Sequence, residues 1–143
     1  MKLFLDANIL FTAAYSLEGA SRALFDLAEA GCCTLCMSAF ALEEARRNIA
    51  LKASDKMAAV EQLSGRVTLV PEAAPETVAW AQTRSLPGKD APIMAAAVAC
   101  GAVLLATGDR IHFGRLFGKP VNGVKVTSPR EALNMVISHS NEQ

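Results

Sequence analysis

The residues best suited to chemistry in this sequence are aspartates that lie at the ends of predicted secondary-structure elements. Asp6 follows the apolar segment "LFL", Asp109 follows "VLLATG", and Asp90 opens an alanine-rich helix. In an open parallel sheet, binding sites form at the carboxyl ends of the strands. We therefore expect these three carboxylates to converge on one edge of a sheet.

A fourth carboxylate is expected from the helix that follows the second predicted strand. Glu43 and Glu44 both lie one to two turns into this helix. Both flank its apolar face at similar angles, so helical geometry does not choose between them. Clustered carboxylates repel one another unless a cation binds, and oxygen ligands favour Mg²⁺ or Mn²⁺. Such a site can activate water and shield phosphate charge during attack on a phosphodiester.

A simpler interpretation is that Asp6, Asp90 and Asp109 are helix N-caps, each of which contributes about 1 kcal/mol. This explanation is adequate for each residue taken singly. Three caps on one edge, however, would gather negative charge without counter-ions of their own. The sequence has no P-loop, no GxGxxG and no GxSxG pattern, and its two histidines do not suggest a histidine-based hydrolase. We therefore favour the metal site and keep the caps as the alternative.

The hydrophobic pattern of the sequence predicts alternating strands and helices, and these elements must position the carboxylates. The predicted strands cover residues 2–5, 33–37, 66–70, 102–107 and 124–126. The predicted helices cover residues 19–30, 38–52, 55–63, 76–84, 91–100, 110–117 and 129–137. Interleaved strands and helices indicate an α/β fold, a three-layer α/β/α sandwich around a mostly parallel sheet of about five strands. We expect one domain over residues 1–138 and a disordered tail over 139–143.

The composition agrees with a single globular domain and restricts how the protein could bind nucleic acid. The 143 residues are 52% hydrophobic and 20% charged, which excludes an intrinsically disordered chain. Fourteen basic residues balance fourteen acidic ones, so nucleic acid must be bound through a local patch and not through bulk charge. The basic side chains expected around the acidic edge are Arg46, Arg47, Lys89, Arg110, Arg115 and Lys119.

The cysteines and the apolar segments indicate a soluble cytoplasmic protein without membrane contact. Three of the four cysteines lie within five residues, Cys32, Cys33 and Cys36, and Cys100 stands apart, so we expect buried free thiols in a reducing compartment. Asp6 interrupts the apolar N-terminal run, which argues against a signal peptide. The apolar stretch 91–106 would span only about 24 Å as a helix, too short for a bilayer.

Three segments in this order resemble the PIN domain, the fold of VapC-type toxin ribonucleases and related nucleases. They are "LFLDANIL", "SAFALEEARRNI" and "LPGKDAPIMAAAVACGAVLLATGD", and the resemblance covers residues 2–137. It implies an endoribonuclease dependent on Mg²⁺ or Mn²⁺, possible toxin function with an antitoxin partner, and a homodimer. A catalytically silent PIN-like module that binds RNA or protein is the alternative.

The resemblance also assigns roles to residues of this chain. It implies that Asp6, Asp90 and Asp109 hold the metal and that the acid before "ARRN", Glu44, completes the catalytic group. The supporting residues are Asn8, Thr107 and, as the alternative acid, Glu43, and the candidate RNA contacts are Lys89, Arg110 and Arg115. Many family members carry another acid soon after the position of Asp109, where this chain has Ile111 and His112. This departure favours the silent module.

Overall fold

Parallel strands bring their carboxyl ends to one edge of a six-stranded sheet in this computed structural model, which describes residues 1–84, 86 and 88–142. The strands are β1 (Lys2–Leu5), β2 (Thr34–Ser38), β3 (Val67–Val70), β4 (Leu104–Ala106), β5 (Pro120–Val121) and β6 (Val124–Thr127). Their spatial order is β3-β2-β1-β4-β6-β5, and all neighbours pair parallel except β5 and β6. The mostly parallel α/β sheet expected from the sequence is confirmed.

Helices connect the parallel strands and flank the sheet. They are α1 (Ala7–Tyr15), α2 (Ala20–Glu29), α3 (Ala39–Lys52), α4 (Met57–Ser64), α5 (Pro75–Gln82), α6 (Ala91–Ala99), α7 (Arg110–Phe113) and α8 (Pro129–Asn141). Short 3₁₀ turns occupy Ser54–Lys56 and Gly114–Leu116. Ser38 caps α3 as expected, because its side-chain oxygen accepts a hydrogen bond from the backbone N–H of Ala41.

The two central strands, β1 and β4, lie in the hydrophobic core. Leu3, Phe4 and Leu5 of β1 are fully buried, and all three residues of β4 are buried as well. A strand that is covered on both faces needs a continuous apolar run instead of alternation, which is what both segments have. The core thereby fixes β1 and β4 side by side, with Leu5 paired to Ala106. The residues that follow these two strands, Asp6 and Thr107, are consequently neighbours.

The sheet has six strands where the sequence predicted about five. The additional strand, β5, forms a hairpin with β6 through the two-residue turn Asn122–Gly123. Both turn residues have positive φ, 47° and 84°, the pattern of a type I′ turn. The prediction missed β5 because it has only two residues and begins with a proline.

Two other boundaries differ from the prediction. The final helix, α8, continues to Asn141 and so includes part of the segment expected as a tail. The predicted helix 110–117 is instead a single α-helical turn, α7, followed by a 3₁₀ turn. Three positions lie outside the described residues: Ser85 and Pro87, between the predicted helices 76–84 and 91–100, and Gln143, in the predicted tail.

All four cysteines are free, with Cys33 and Cys36 buried and Cys32 and Cys100 half-buried. Burial raises the pKa of the Cys33 thiol to about 11. No helix in the described ranges combines the length and the apolarity that crossing a bilayer requires.

Candidate metal site

Four carboxylates from four separate segments line one cavity of about 140 Å³ at the carboxyl edge of the sheet. They are Asp6 after β1, Glu44 on α3, Asp90 before α6 and Asp109 after β4. Asn8, Asn48 and Lys89 line the same cavity, which we call the acidic pocket. The four catalytic acids expected from the sequence therefore lie together, because parallel strands end on the same edge.

Asp6 is the most firmly held of the four carboxylates. Its Oδ1 accepts a hydrogen bond from the backbone N–H of Ala7 at 2.8 Å, and its Oδ2 accepts one from the Thr107 hydroxyl at 2.8 Å. Burial raises the pKa of Asp6, while these two hydrogen bonds act in the opposite direction, and the charges of Glu44 and Asp109 raise the pKa further. Burial and the neighbouring charges therefore destabilise the ionised form of Asp6, and its two hydrogen-bond donors partly offset this effect.

Asn8 and Thr107 join the ends of β1 and β4. The Asn8 amide donates to Asp6 Oδ2 at 3.2 Å and to Thr107 Oγ1 at 3.3 Å, and its carbonyl oxygen accepts from the Gly108 N–H at 2.9 Å. The Thr107 oxygen also accepts from the Asp109 N–H at 3.0 Å. Together these bonds fix Asp6 and Asp109 relative to each other. Asn8 and Thr107 thus act as neighbours that position the carboxylates.

The N-cap interpretation holds for Asp6 and Asp109 but not for Asp90. Asp109 Oδ1 accepts from the backbone N–H groups of Ile111 and His112 at 3.1 and 3.0 Å, which caps α7. Asp90 lies at the N-cap of α6, yet within the described residues its side chain makes no capping hydrogen bond. The Asp90 side chain is only 7% exposed. A buried carboxylate that does not cap its own helix needs another partner.

The partner that the structure supplies is His112. Its Nδ1 lies 2.8 Å from Asp90 Oδ2 and 2.9 Å from Asp109 Oδ2. Burial raises the pKa of Asp90, whereas His112 lowers it, and the charges of Asp6 and Asp109 raise it further. Although the atoms are close, neither Asp90 Oδ2 nor His112 Nδ1 has a partner with hydrogen-bond geometry in the described part of the chain.

The donor set of this group suits a divalent cation. One ligand atom from each of Asp90, Asp109 and His112 can be chosen so that all three lie within 4.8 Å of one another. Carboxylate and imidazole are both common ligands of divalent ions, and a shared ion would satisfy the two orphaned buried atoms. Asp6 lines the same pocket with both oxygens hydrogen-bonded to the chain. The residues present therefore fit a metal ion.

The structure also separates Glu44 from Glu43. Glu44 lines the acidic pocket, whereas the Glu43 side chain is 61% exposed and forms an ion pair with Arg46 at 2.8 Å. Arg46 also binds Glu61 of α4 at 2.8 Å, which ties it to a surface network. Of the two glutamates, Glu44 is the one that lines the pocket.

Sequence reasoning missed two residues of this region, Asn48 and His112. Asn48 lies four residues after Glu44, so the two share a face of α3 and line the pocket together. His112 lies three residues after Asp109, which brings its ring back over that carboxylate within a single helical turn. In both cases the signal in the sequence was a spacing of three or four residues from a predicted acid, which places two side chains on the same face of a helix.

The basic residues are spread more widely than expected. Among the described residues, Lys89 is the single lysine or arginine that lines the acidic pocket. The Arg110 guanidinium lies over the Phe117 ring at 4.6 Å, and Lys119 lines a different cavity together with Arg84. Arg47 and Arg115 are exposed.

The family model that matches residues 2–111 is the PIN domain. This range includes all four carboxylates of the acidic pocket and most of the sheet. The chain therefore belongs to the PIN domain family, as the sequence motifs indicated. No curated protein sequence matches the chain at a significant level.

Solved structures with the same fold include DNA-bound VapBC from Salmonella typhimurium, at 16% identity and a TM-score of 0.69 over 90% of this chain and 98% of that one. PAE2754 from Pyrobaculum aerophilum is similar at 18% identity and a TM-score of 0.69, over 96% and 90% of the two chains. FitAcB from Neisseria gonorrhoeae is similar at 21% identity and 0.60, over 90% and 98%. At these identities the likeness shows a shared fold.

Proposed function

We propose that the protein is an endoribonuclease that hydrolyses RNA phosphodiester bonds with the help of Mg²⁺ or Mn²⁺. The observation that carries this proposal is the acidic pocket, in which four carboxylates from four segments surround about 140 Å³. That volume is below the roughly 300 Å³ at which pockets for drug-sized molecules begin. It suits an ion and a phosphate group of a longer substrate.

In this proposal the carboxylates of Asp6, Asp90 and Asp109 hold the ion. When bound, the ion shields phosphate charge and lowers the pKa of bound water. Glu44 orients the attacking water and accepts its proton, since this side chain faces the pocket from α3. Lys89 lines the pocket and binds a phosphate oxygen of the RNA. Asn8 and Thr107 keep Asp6 and Asp109 at a fixed separation through the hydrogen bonds between the two strand ends.

Adjacent glutamates on α3 offer a matched test of this function. Glu44→Gln removes the proposed base, and Glu43→Gln makes the same chemical change one residue away, outside the pocket. Because general base catalysis contributes about 10² to 10⁴-fold, we expect Glu44→Gln to slow cleavage of single-stranded RNA in Mn²⁺ by at least about 100-fold. Glu43→Gln should leave the rate within about twofold. Equal effects of the two variants would contradict the role of Glu44.

The same assay separates a nuclease from a silent binding module. A nuclease cleaves RNA in Mn²⁺ and stops when EDTA is added. A silent module would retain labelled single-stranded RNA in a filter-binding assay without shortening it at any Mn²⁺ concentration. Retention without cleavage by the wild-type protein would replace the nuclease proposal with the RNA-binding one.

We further propose a cytoplasmic homodimer that is inhibited by an antitoxin-type protein. The support is the likeness in fold to VapBC2 from Rickettsia felis, which was crystallised with a DNA fragment from the promoter of the pair. Tyr15, Leu17 and Leu51 are 58%, 80% and 79% exposed, and they provide apolar area for protein contacts. Light scattering at tens of micromolar should give twice the chain mass. A small protein encoded by a neighbouring gene should co-purify with this protein and suppress cleavage.

A further inference from the structure

His112 approaches the acidic pocket from α7 in an arrangement that an ordinary ion pair does not explain. An imidazolium that neutralises a carboxylate directs its ring N–H along a hydrogen bond to one oxygen. Here Nδ1 lies between two oxygens, 2.8 Å from Asp90 Oδ2 and 2.9 Å from Asp109 Oδ2. Nδ1 and the Asp90 oxygen are both buried, and neither makes a hydrogen bond with the described residues.

The three side chains are close enough to share one ion. Ligand atoms on a divalent ion with bonds of about 2.1 Å lie about 3.0 Å apart at adjacent octahedral positions and about 3.4 Å apart in a tetrahedron. His112 Nδ1 lies 2.8 Å and 2.9 Å from the two carboxylate oxygens, so a small movement of the ring would admit an ion of either geometry. The choice of ion therefore depends on the chemical type of the ligands.

The local structure holds His112 in this place. The backbone N–H of His112 donates to Asp109 Oδ1 at 3.0 Å, and the next residue, Phe113, is fully buried in the core. The residue on the other side, Ile111, is 92% exposed and faces away from the protein. The backbone of His112 is therefore fixed by the same cap that orients Asp109, and this places the imidazole beside that carboxylate.

A nitrogen ligand changes which ion such a site selects. Mg²⁺ prefers oxygen ligands and keeps several waters, whereas imidazole binds first-row transition ions readily. We propose that His112 Nδ1 is a direct ligand of the ion together with Asp90 and Asp109, and that it makes the site select Mn²⁺ over Mg²⁺. This inference rests on the proposed metal-dependent function and adds a ligand and an ion preference to it.

The test measures metal binding directly, without reference to cleavage. Calorimetric titration of the wild-type protein should give at least about tenfold tighter binding of Mn²⁺ than of Mg²⁺. His112→Ala should lose at least about tenfold in Mn²⁺ affinity, since even the loss of a group that supports a ligand costs 10–100-fold. His112→Asp should bind both ions with a smaller preference. Ile111→Ala is the control and should behave as the wild type.

Pulsed electron paramagnetic resonance of bound Mn²⁺ supplies the second readout. The wild type should show coupling to an imidazole nitrogen, and both His112 variants should lack it. Mn²⁺ binding without nitrogen coupling, with affinity unchanged in His112→Ala, would overturn the ligand role and leave the metal-dependent function standing. Absence of Mn²⁺ binding by the wild type at millimolar concentration would overturn both. Circular dichroism melts of each variant confirm that the compared proteins are folded.

Discussion

Replacing Asp90 by asparagine should stabilise the metal-free protein, although it removes a residue of the proposed site. The Asp90 side chain is 7% exposed, its Oδ2 has no hydrogen-bond partner among the described residues, and it does not cap α6. Burial and the carboxylates of Asp6 and Asp109 raise the pKa of Asp90. A raised pKa in the folded state means that stability falls as the pH rises through that pKa, because the ionised form opposes folding.

The magnitude follows from the separations in the pocket. Two unit charges no more than 4.8 Å apart, the limit within which one ligand atom from each of Asp90, Asp109 and His112 lies, repel by at least about 3.5 kcal/mol at an effective dielectric constant near 20. Contact with His112 and the pocket opening reduce this repulsion. We expect Asp90→Asn to raise the free energy of unfolding by about 1–2 kcal/mol. For a domain of this size that corresponds to roughly 3–7 °C in Tm.

Calorimetric melts in EDTA and in MnCl₂ are the assay. In EDTA the Asp90→Asn variant should melt above the wild type. At about ten times its dissociation constant, Mn²⁺ should stabilise the wild type by about 1.4 kcal/mol and the variant far less, so the two Tm values converge or change order. Asp55→Asn, an exposed change in a 3₁₀ turn, is the control and should alter neither melt. A variant that melts below the wild type in EDTA and gains equally from Mn²⁺ would refute the reasoning.

Other experiments test single residues inside and outside the acidic pocket. Thr107→Val removes the hydroxyl that donates to Asp6 and should cost about 2 kcal/mol in urea unfolding, whereas Thr107→Ser should stay close to the wild type. Cys33, whose pKa burial raises to about 11, should resist iodoacetamide at pH 8 and be alkylated only after unfolding, as mass spectrometry would show. Arg46→Met breaks exposed ion pairs with Glu43 and Glu61 and should change stability by less than about 1 kcal/mol. It should also leave RNA cleavage unchanged, and a slower rate would indicate that Arg46 contacts the RNA.

Much of the fold could be predicted because its strands are fully buried. β1 and β4 appear in the sequence as unbroken apolar runs, and a run of this kind between turn residues indicates a central parallel strand. β5 could not be found by periodicity, because two residues have none. Its available signal was the turn itself, since "VNGV" places Asn122 and Gly123 where a type I′ hairpin requires positive φ.

The acidic pocket was predictable to the extent that it depends on topology. Asp6 and Asp109 lie together because the strands before them are parallel neighbours, and the sequence shows which residues follow those strands. The choice between Glu43 and Glu44 depends on how α3 is rotated against α1 and α4, which the sequence does not determine. His112 belongs to no histidine-based hydrolase pattern, and only its spacing of three residues from Asp109 connects it to the site.

The two interpretations of the aspartates, helix caps or metal ligands, prove to be compatible at Asp109. Its Oδ1 accepts two backbone hydrogen bonds and caps α7, while its Oδ2 lies 2.9 Å from His112 Nδ1. A carboxylate has two oxygens, so one can hold the helix end while the other remains available to a ligand. Asp90 shows the other case, with an oxygen that neither caps its helix nor finds a hydrogen bond in the described residues. A helix cap at a strand end is therefore no argument against a metal site, because the cap is what holds the second oxygen in place.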